Sequence, residues 1–506
     1  MQTGLSLSLK SLAAILFAFA ALSVHAQTNE LANSPVATTE NAGPSPYPET
    51  TENTQQTQIS HKDEGIRLYR KRQYLEALPY LMAPDAQKDP LVQTALGNMF
   101  SLGLGVGADP GKAFSWYLKA AKQNNAIAQL YVAYSFEKGL GTAKNSREAF
   151  KWYGKAAGNG IPDARYKLGY LTEKGTGTRA SLKKALEWYH QAAEDGNAAA
   201  QTRLGRAYSE GDGVKRDYLE AARWFYRAAE QGNVQAQTVL AWLYETGLGV
   251  GKDEPRAASW YTKAAEQGYA PAQNNLGYLY DSGSGVMQDF VAARKWYETA
   301  AVQGNVSAMF NLGQLHYLGH GTPQNYAKAA EWFARAAEKG HPRAINNLGM
   351  AYLDGMGVEM DRKKAGQYFT RAAQLGNAHA QYNLATLYVQ HPDALTTTGH
   401  TKKTDAQALH WFRKSAANGH PAAMEYLADV YHYGKLGQRK NPALAENWQK
   451  KADALAEQEK VAQTVLPLPQ SSDTTPASHA GKKDKQSPGK TATAEPVDQY
   501  DEDWLR

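Results

Sequence analysis

Tryptophan recurs with a strict period. Trp116, Trp152, Trp188, Trp224, Trp260, Trp296 and Trp332 lie 36 residues apart, Tyr368 takes the next place, and Trp411 and Trp448 continue the series. A 36-residue unit is too short to bury its own apolar face, so a chain built from such units must stack them. Each unit reads as two helices and two turns. A first helix carries Leu-Gly or Leu-Ala, as in Leu204-Gly205 and Leu276-Gly277; a Gly-x-Gly loop such as Gly211 and Gly213 follows; a Trp-bearing second helix then ends in Ala-Ala.

The punctuation agrees with that division. Ten residues able to accept backbone hydrogen bonds precede the second helices, namely Asp109, Asn145, Ser181, Asp217, Asp253, Asp289, Asn325, Asp361, Thr404 and Asn441. Glycines from Gly160 to Gly419 are placed to end those helices, with Asn124 as a substitute. Basic residues such as Lys119, Lys155, Arg227, Lys263, Arg335 and Arg371 fall in the last turn, where the helix dipole favours them. Mid-helix glycines, among them Gly205, Gly277, Gly313 and Gly349, each cost about 1 kcal/mol relative to Ala, which predicts a close helix approach in return. The 44 Gly and 30 Tyr suit this design, and the absence of Cys excludes disulfide and thiolate chemistry.

The two ends differ from the repeats. Residues 1–26 read as an export signal, with Lys10, an apolar run from Leu12 to Leu22, and Val24-His25-Ala26 before the expected cleavage. That run is too short to span a bilayer, so the mature chain is expected in the periplasm or outside the cell. Residues 27–60 are a polar linker, 61–463 the repeat array, and 464–506 a disordered tail whose acidic, aromatic end, Tyr500 to Trp504, reads either as spacer or as a docking motif. Gly65 to Leu78 resembles a degenerate eleventh unit that caps the array, and Leu444 to Gln463 closes its other end. The segment His391 to His400 makes one unit seven residues longer than the rest and predicts a protruding loop. Without Lys10 the chain carries 54 basic and 49 acidic side chains, a balance of +5 spread along its length, which argues against nucleic acid as a partner.

The repeated pattern Ala-x-x-x-Leu-Gly-x-x-Tyr-x-x-Gly-x-Gly-Val, then Asp-Tyr-x-x-Ala-x-x-Trp-Tyr-x-x-Ala-Ala-x-x-Gly, followed closely by Arg203 to Gly232, resembles the Sel-one-like repeat family, relatives of the tetratricopeptide repeat. The resemblance spans about residues 62 to 456. It implies an all-α fold, a right-handed superhelical α/α solenoid. It also implies an adaptor role, as in exported bacterial members that act as envelope scaffolds, signalling regulators or factors engaging host proteins. One cysteine-rich branch is linked with binding β-lactams and peptidoglycan fragments, but its paired cysteines have no counterpart here.

No acid, base or nucleophile cluster stands outside the repeat, so no enzyme activity, cofactor or metal is expected. His316 holds the place of Tyr208, Tyr244, Tyr280 and Tyr352 and reads as a packing substitute; His391, His400 and His410 match no closed ligand set. The repeated Gly-x-Gly, as at Gly139 and Gly141, lacks the lysine of a phosphate loop.

A binding surface is the better expectation. On a helical wheel the repeated Ala, Leu, Gly and Tyr of the first helices share one arc, and the residues that follow Leu-Gly face elsewhere, inward along the superhelix if the resemblance holds. One row contains Asn98, Tyr134, Tyr170, Arg206, Trp242, Tyr278, Gln314 and Met350; a parallel row contains Leu130, Tyr166, Thr202, Thr238, Asn274, Phe310, Asn346 and Tyr382. Of these, Tyr134, Tyr166, Tyr170, Arg206, Trp242, Tyr278, Phe310, Gln314 and Tyr382 are the candidate contacts for a protein or peptide on the concave face. The competing reading is that they pad adjacent first helices. Glycan recognition is a further alternative, and a cell-wall hydrolase a remote one.

Overall fold

The structure is a computed structural model that describes residues 60–397 and 399–465. The segments 1–59 and 466–506, with the export signal, nearly all of the linker and the Tyr500–Trp504 motif, lie outside the described residues. Two compact units are present, Met1–Ala200 and Gln201–Arg506.

The described residues are helical throughout, with no strand. From Pro90–Leu102 to Ala378–Gln390 every α-helix has thirteen residues, and successive helices pair antiparallel across short turns. In the first unit these follow an amino-terminal pair, His61–Arg70 and Tyr74–Leu81. Ser60 caps that pair by accepting from the Asp63 N–H at 3.1 Å. In the second unit the last helix, Pro442–Val465, packs on Pro421–Tyr433.

Nine of the ten expected caps start a second helix; Asp253, for example, accepts from the Arg256 N–H at 3.0 Å. The exception is Thr404. Its helix begins three residues earlier, at Lys402, with Thr401 as the cap, and Thr404 returns the bond by accepting from the Thr401 N–H. The expected protruding loop is also corrected. Pro392–Ala394 forms a short 3-10 helix, and Leu395 folds back against Gly366, where a Cβ would come within 2.5 Å of it. An apolar leucine in the insertion finds more to bury on the neighbouring helix than in water.

The mid-helix glycines have the expected compensation. Each seats the aromatic ring that follows Trp, or Tyr368 in its place, on the partner helix: a Cβ on Gly313 would lie 2.5 Å from the Phe333 ring, and one on Gly349 2.7 Å from Phe369. Phe369 is fully buried, worth about 1.5–3 kcal/mol for its side chain alone. The loop glycines let one pair rest on the next. Gly249 has φ +72° and sits so close to Tyr218 that a Cβ would meet its backbone at 2.2 Å.

Polar zips hold neighbouring pairs in register. Gln237 donates through Nε2 to the Ala229 carbonyl of the preceding pair at 3.0 Å and accepts from Gln267 Nε2 at 2.8 Å. Gln273 repeats this with Ala265 and Gln303. In the first unit the same place holds Arg165, and its partner becomes Asp195 in an ion pair. The basic residues of the last turn do more than face a dipole: Lys155 lies 3.8 Å above the Trp152 ring, and Lys263 3.8 Å above Trp260.

Candidate first-helix binding face

The two candidate rows have different fates. Most residues that follow Leu-Gly reach the surface. In the first unit Tyr170 is 42% exposed and Tyr134 is half-buried, with Lys138 Nζ 5.9 Å from its ring. In the second unit Arg206, Trp242, Tyr278 and Met350 are half-buried, Arg206 lying 3.8 Å from Glu210. Gln314 departs from them at 1% exposure.

The parallel row is sealed over most of the second unit: Thr202, Thr238, Asn274, Phe310 and Asn346 are all buried. Phe310 is core, stacked on His341 at 4.7 Å. Adjacent first helices meet there, as the hydrogen bonds from Asn311 to Asn274 at 3.1 Å and from Asn383 to Asn346 at 2.9 Å record. Padding therefore describes this stretch of the row. Its ends stay half-buried, with Tyr166 5.7 Å from the Tyr189 ring in the first unit and Tyr382 stacked on His420 at 4.7 Å in the second.

Within the second unit a groove of about 270 Å³ opens beside Gln314, Tyr317, Asn347, Met350, Tyr382 and His420. It joins two candidates far apart in sequence, Gln314 and Tyr382. Asp354, Met356, His379 and Asn383 also line it, and the lining includes no Lys or Arg. Burial, and then the neighbouring His379, pushes the His420 imidazole down to about 4, so it is neutral at physiological pH. Burial likewise raises the Asp354 carboxyl above its ordinary range. The groove is thus lined by carboxamides, thioethers and rings beside Asp354, a surface suited to hydrogen bonding and apolar contact.

A feature of this groove escaped sequence reading. Asn275, Asn311, Asn347 and Asn383 stand 36 residues apart, two places before the helix glycine or its alanine substitute. Reading that column down the repeats would have found them.

The remaining histidines take structural places. His316 is buried, and burial together with Lys328 and Arg294 holds its imidazole below the usual range. His400 lies 3.3 Å from Asp405, and His410 packs edge-on to Trp411. Among the described residues no group of three or more His, Cys, Asp or Glu is placed to hold a metal ion, and no helix is long and apolar enough to cross a membrane.

A family model described as Sel1 repeat matches ten consecutive segments: 90–125, 126–161, 162–197, 198–233, 234–269, 270–305, 306–341, 342–377, 378–420 and 421–452. No curated protein matches the chain. Among solved structures, c5321 is 34% identical over 74% of this chain and 79% of its own, with a TM-score of 0.65; it is described as a protective antigen present in uropathogenic Escherichia coli strains displaying an SLR fold. A Sel1 repeat protein from Oxalobacter formigenes is 40% identical over 48% of this chain and 96% of its own, with a TM-score of 0.44.

Proposed function

Since the chain belongs to the Sel1 repeat family, we propose that it is an exported scaffold that holds a protein partner on the first-helix face of its second unit, which carries Arg206, Trp242 and Tyr278. Repeat proteins of this kind generally mediate protein–protein interactions and are generally not catalysts. The observation that carries the reading is that two large aromatic side chains of that unit, Trp242 and Tyr278, stay partly exposed. Aromatic residues with one polar edge are the anchors that interfaces favour.

Export rests on the apolar segment Leu12 to Leu22 followed by Val24-His25-Ala26. The periplasm and the outside of the cell both suit such a leader. The relative described as a protective antigen supports the second, in which the partner is a host protein.

Affinity capture with the mature chain, from envelope extract and separately from host fluid, tests the reading. A protein retained by the wild type and lost by Trp242→Ala with Tyr278→Ala is the expected result. Retention of nothing, or binding of muropeptides in place of protein, counts against it.

A further inference from the structure

The edge of the second unit where its second helices begin changes character along the stack. Phe290–Val302 opens on Phe290-Val291-Ala292, Tyr326–Glu338 on Tyr326-Ala327-Lys328, and Arg362–Gln374 on Arg362-Lys363-Lys364. An apolar stretch therefore gives way to a cationic one. At the apolar end an open cleft of about 660 Å³ is lined by Tyr280, Val286, Met287, Phe290, Val291 and Gly321. Met287 is 88% exposed and Val291 57%. Folding does not ask for either: the place of Met287 holds Arg179, Lys215 and Glu359 in other repeats, and that of Val291 holds Arg147, Lys183 and Lys363. Tyr326 and Met360, both exposed, carry the apolar surface on toward the cations. The loop before Met360 rests on Tyr326, whose backbone a Cβ on Gly357 would meet at 2.2 Å.

Arg362, Lys363 and Lys364 are all exposed, in the first turn of a helix whose dipole disfavours cations there. Asp361 caps that helix and lies 3.8 Å from Lys364; among the described residues no acid pairs with Arg362 or Lys363. We propose that this edge is covered by the chain's own segment Asp498 to Leu505, which lies outside the described residues. It holds four acids, Asp498, Asp501, Glu502 and Asp503, followed by Trp504 and Leu505. Its charge opposes that of the cationic stretch, and its order matches the edge. A chain leaving Val465 reaches Arg362 to Lys364 before Tyr326 and Val291, so the acids meet the cations first and Trp504 with Leu505 meets the apolar surface. Extended, eight residues span about 26 Å, enough to lie across three neighbouring helices packed about 10 Å apart. Residues 466–497 reach up to about 100 Å, well beyond the roughly 36 Å length of Pro442–Val465 that the segment must retrace. Tethering holds such a segment at an effective concentration on the order of millimolar, an advantage over any separate partner.

A zero-length carbodiimide, which joins a carboxylate to an amine in contact with it, tests this in the full chain. Crosslinks from Asp498, Asp501, Glu502 or Asp503 to Lys363 or Lys364 are expected, with a yield independent of protein concentration. Trp504→Ala should lower that yield about tenfold, although every reacting amine and carboxylate stays in place. Val291→Lys, which copies Lys183 and Lys363 of other repeats and so keeps the fold, should do the same with unchanged melting. Trp242→Ala with Tyr278→Ala should crosslink as the wild type does, because this edge is independent of the first-helix face. A yield unmoved by both Trp504→Ala and Val291→Lys, or links formed equally with exposed Lys263, overturns the proposal. Links that join only separate copies overturn it in favour of a dimer. If no such link forms and the edge instead binds phosphatidylglycerol vesicles through Lys363 and Lys364, the occupant is a lipid surface and the proposal falls.

Discussion

The Tyr261 hydroxyl donates to Glu245 Oε2 at 3.1 Å, tying a second helix to the last turn of its own first helix. The same bond joins Tyr153 to Glu137 and Tyr189 to Glu173 at 2.8 Å, and Asp281 faces Tyr297 in the equivalent place. Where the ring is Phe225, Phe333, Phe369 or Phe412, the corresponding residue is Ser209, Tyr317, Leu353 or Val389, and never an acid. Wherever the acid is present the ring carries a hydroxyl, because a buried carboxylate without its donor is costly; the converse does not hold, since Tyr117 is matched by Ser101 and donates to Asn98 instead.

That coupling predicts a double-mutant result. Glu245 is 7% exposed, so Tyr261→Phe, which removes a hydrogen bond to a charged group, should cost about 1.5–3 kcal/mol. Adding Glu245→Leu, which copies the Phe369 and Leu353 combination, should recover most of the loss. Chemical denaturation of the two variants, with hydrogen exchange to localise the effect, checks this; equal destabilisation in both would mean that the pair is not coupled.

Loop glycines should separate into two classes. Gly268 has φ +86° and open space where a Cβ would stand, whereas a Cβ on Gly285 would meet the Glu254 backbone at 2.4 Å. Gly268→Ala should therefore cost only the left-handed conformation, about 1–2 kcal/mol. Gly285→Ala adds a clash that no side-chain rotation relieves, and should cost clearly more. Similar denaturation midpoints for the two would refute the close approach of neighbouring pairs.

Two buried groups should give opposite pH dependence. Burial raises the Asp281 carboxyl from 3.8 to about 6. Between those values the folded chain holds a proton that the unfolded chain has lost, so this residue adds stability as pH falls from 6 to 4. His420 is lowered from 6.5 to about 4. There the unfolded chain holds the extra proton, so its contribution is present above 6.5 and lost as pH falls toward 4. Each is worth up to about 3 kcal/mol at 1.36 kcal/mol per unit. Relative to wild type, Asp281→Asn should be most favourable at pH 7 and lose that advantage at pH 4. His420→Asn, which keeps a capping side chain, should gain relative stability as pH falls. Parallel stability curves for wild type and either variant would refute that assignment.

The architecture was legible because periodicity exposes position: the 36-residue spacing, nine of the ten second-helix caps and the stop glycines all follow from residues near each other in sequence. Partnership was less legible. The bond from Gln267 to Gln237 spans 30 residues, and its exchange for Arg165 with Asp195 becomes readable only once neighbouring pairs are known to touch. The same limit split the binding rows. A helical wheel places Phe310 and Tyr278 off the repeat's own core arc, but it does not say that Phe310 is sealed while Tyr278 stays partly exposed. Thr401 displaced Thr404 as cap because the longer unit also lengthened its second helix to 16 residues, which a fixed register does not anticipate.

Titration of the captured partner into the mature wild-type chain and into the Trp242→Ala, Tyr278→Ala double variant tests the scaffold account most directly. The account predicts at least a tenfold weaker Kd, about 1.4 kcal/mol, with an unchanged melting profile. An unaltered Kd for the double variant would contradict it.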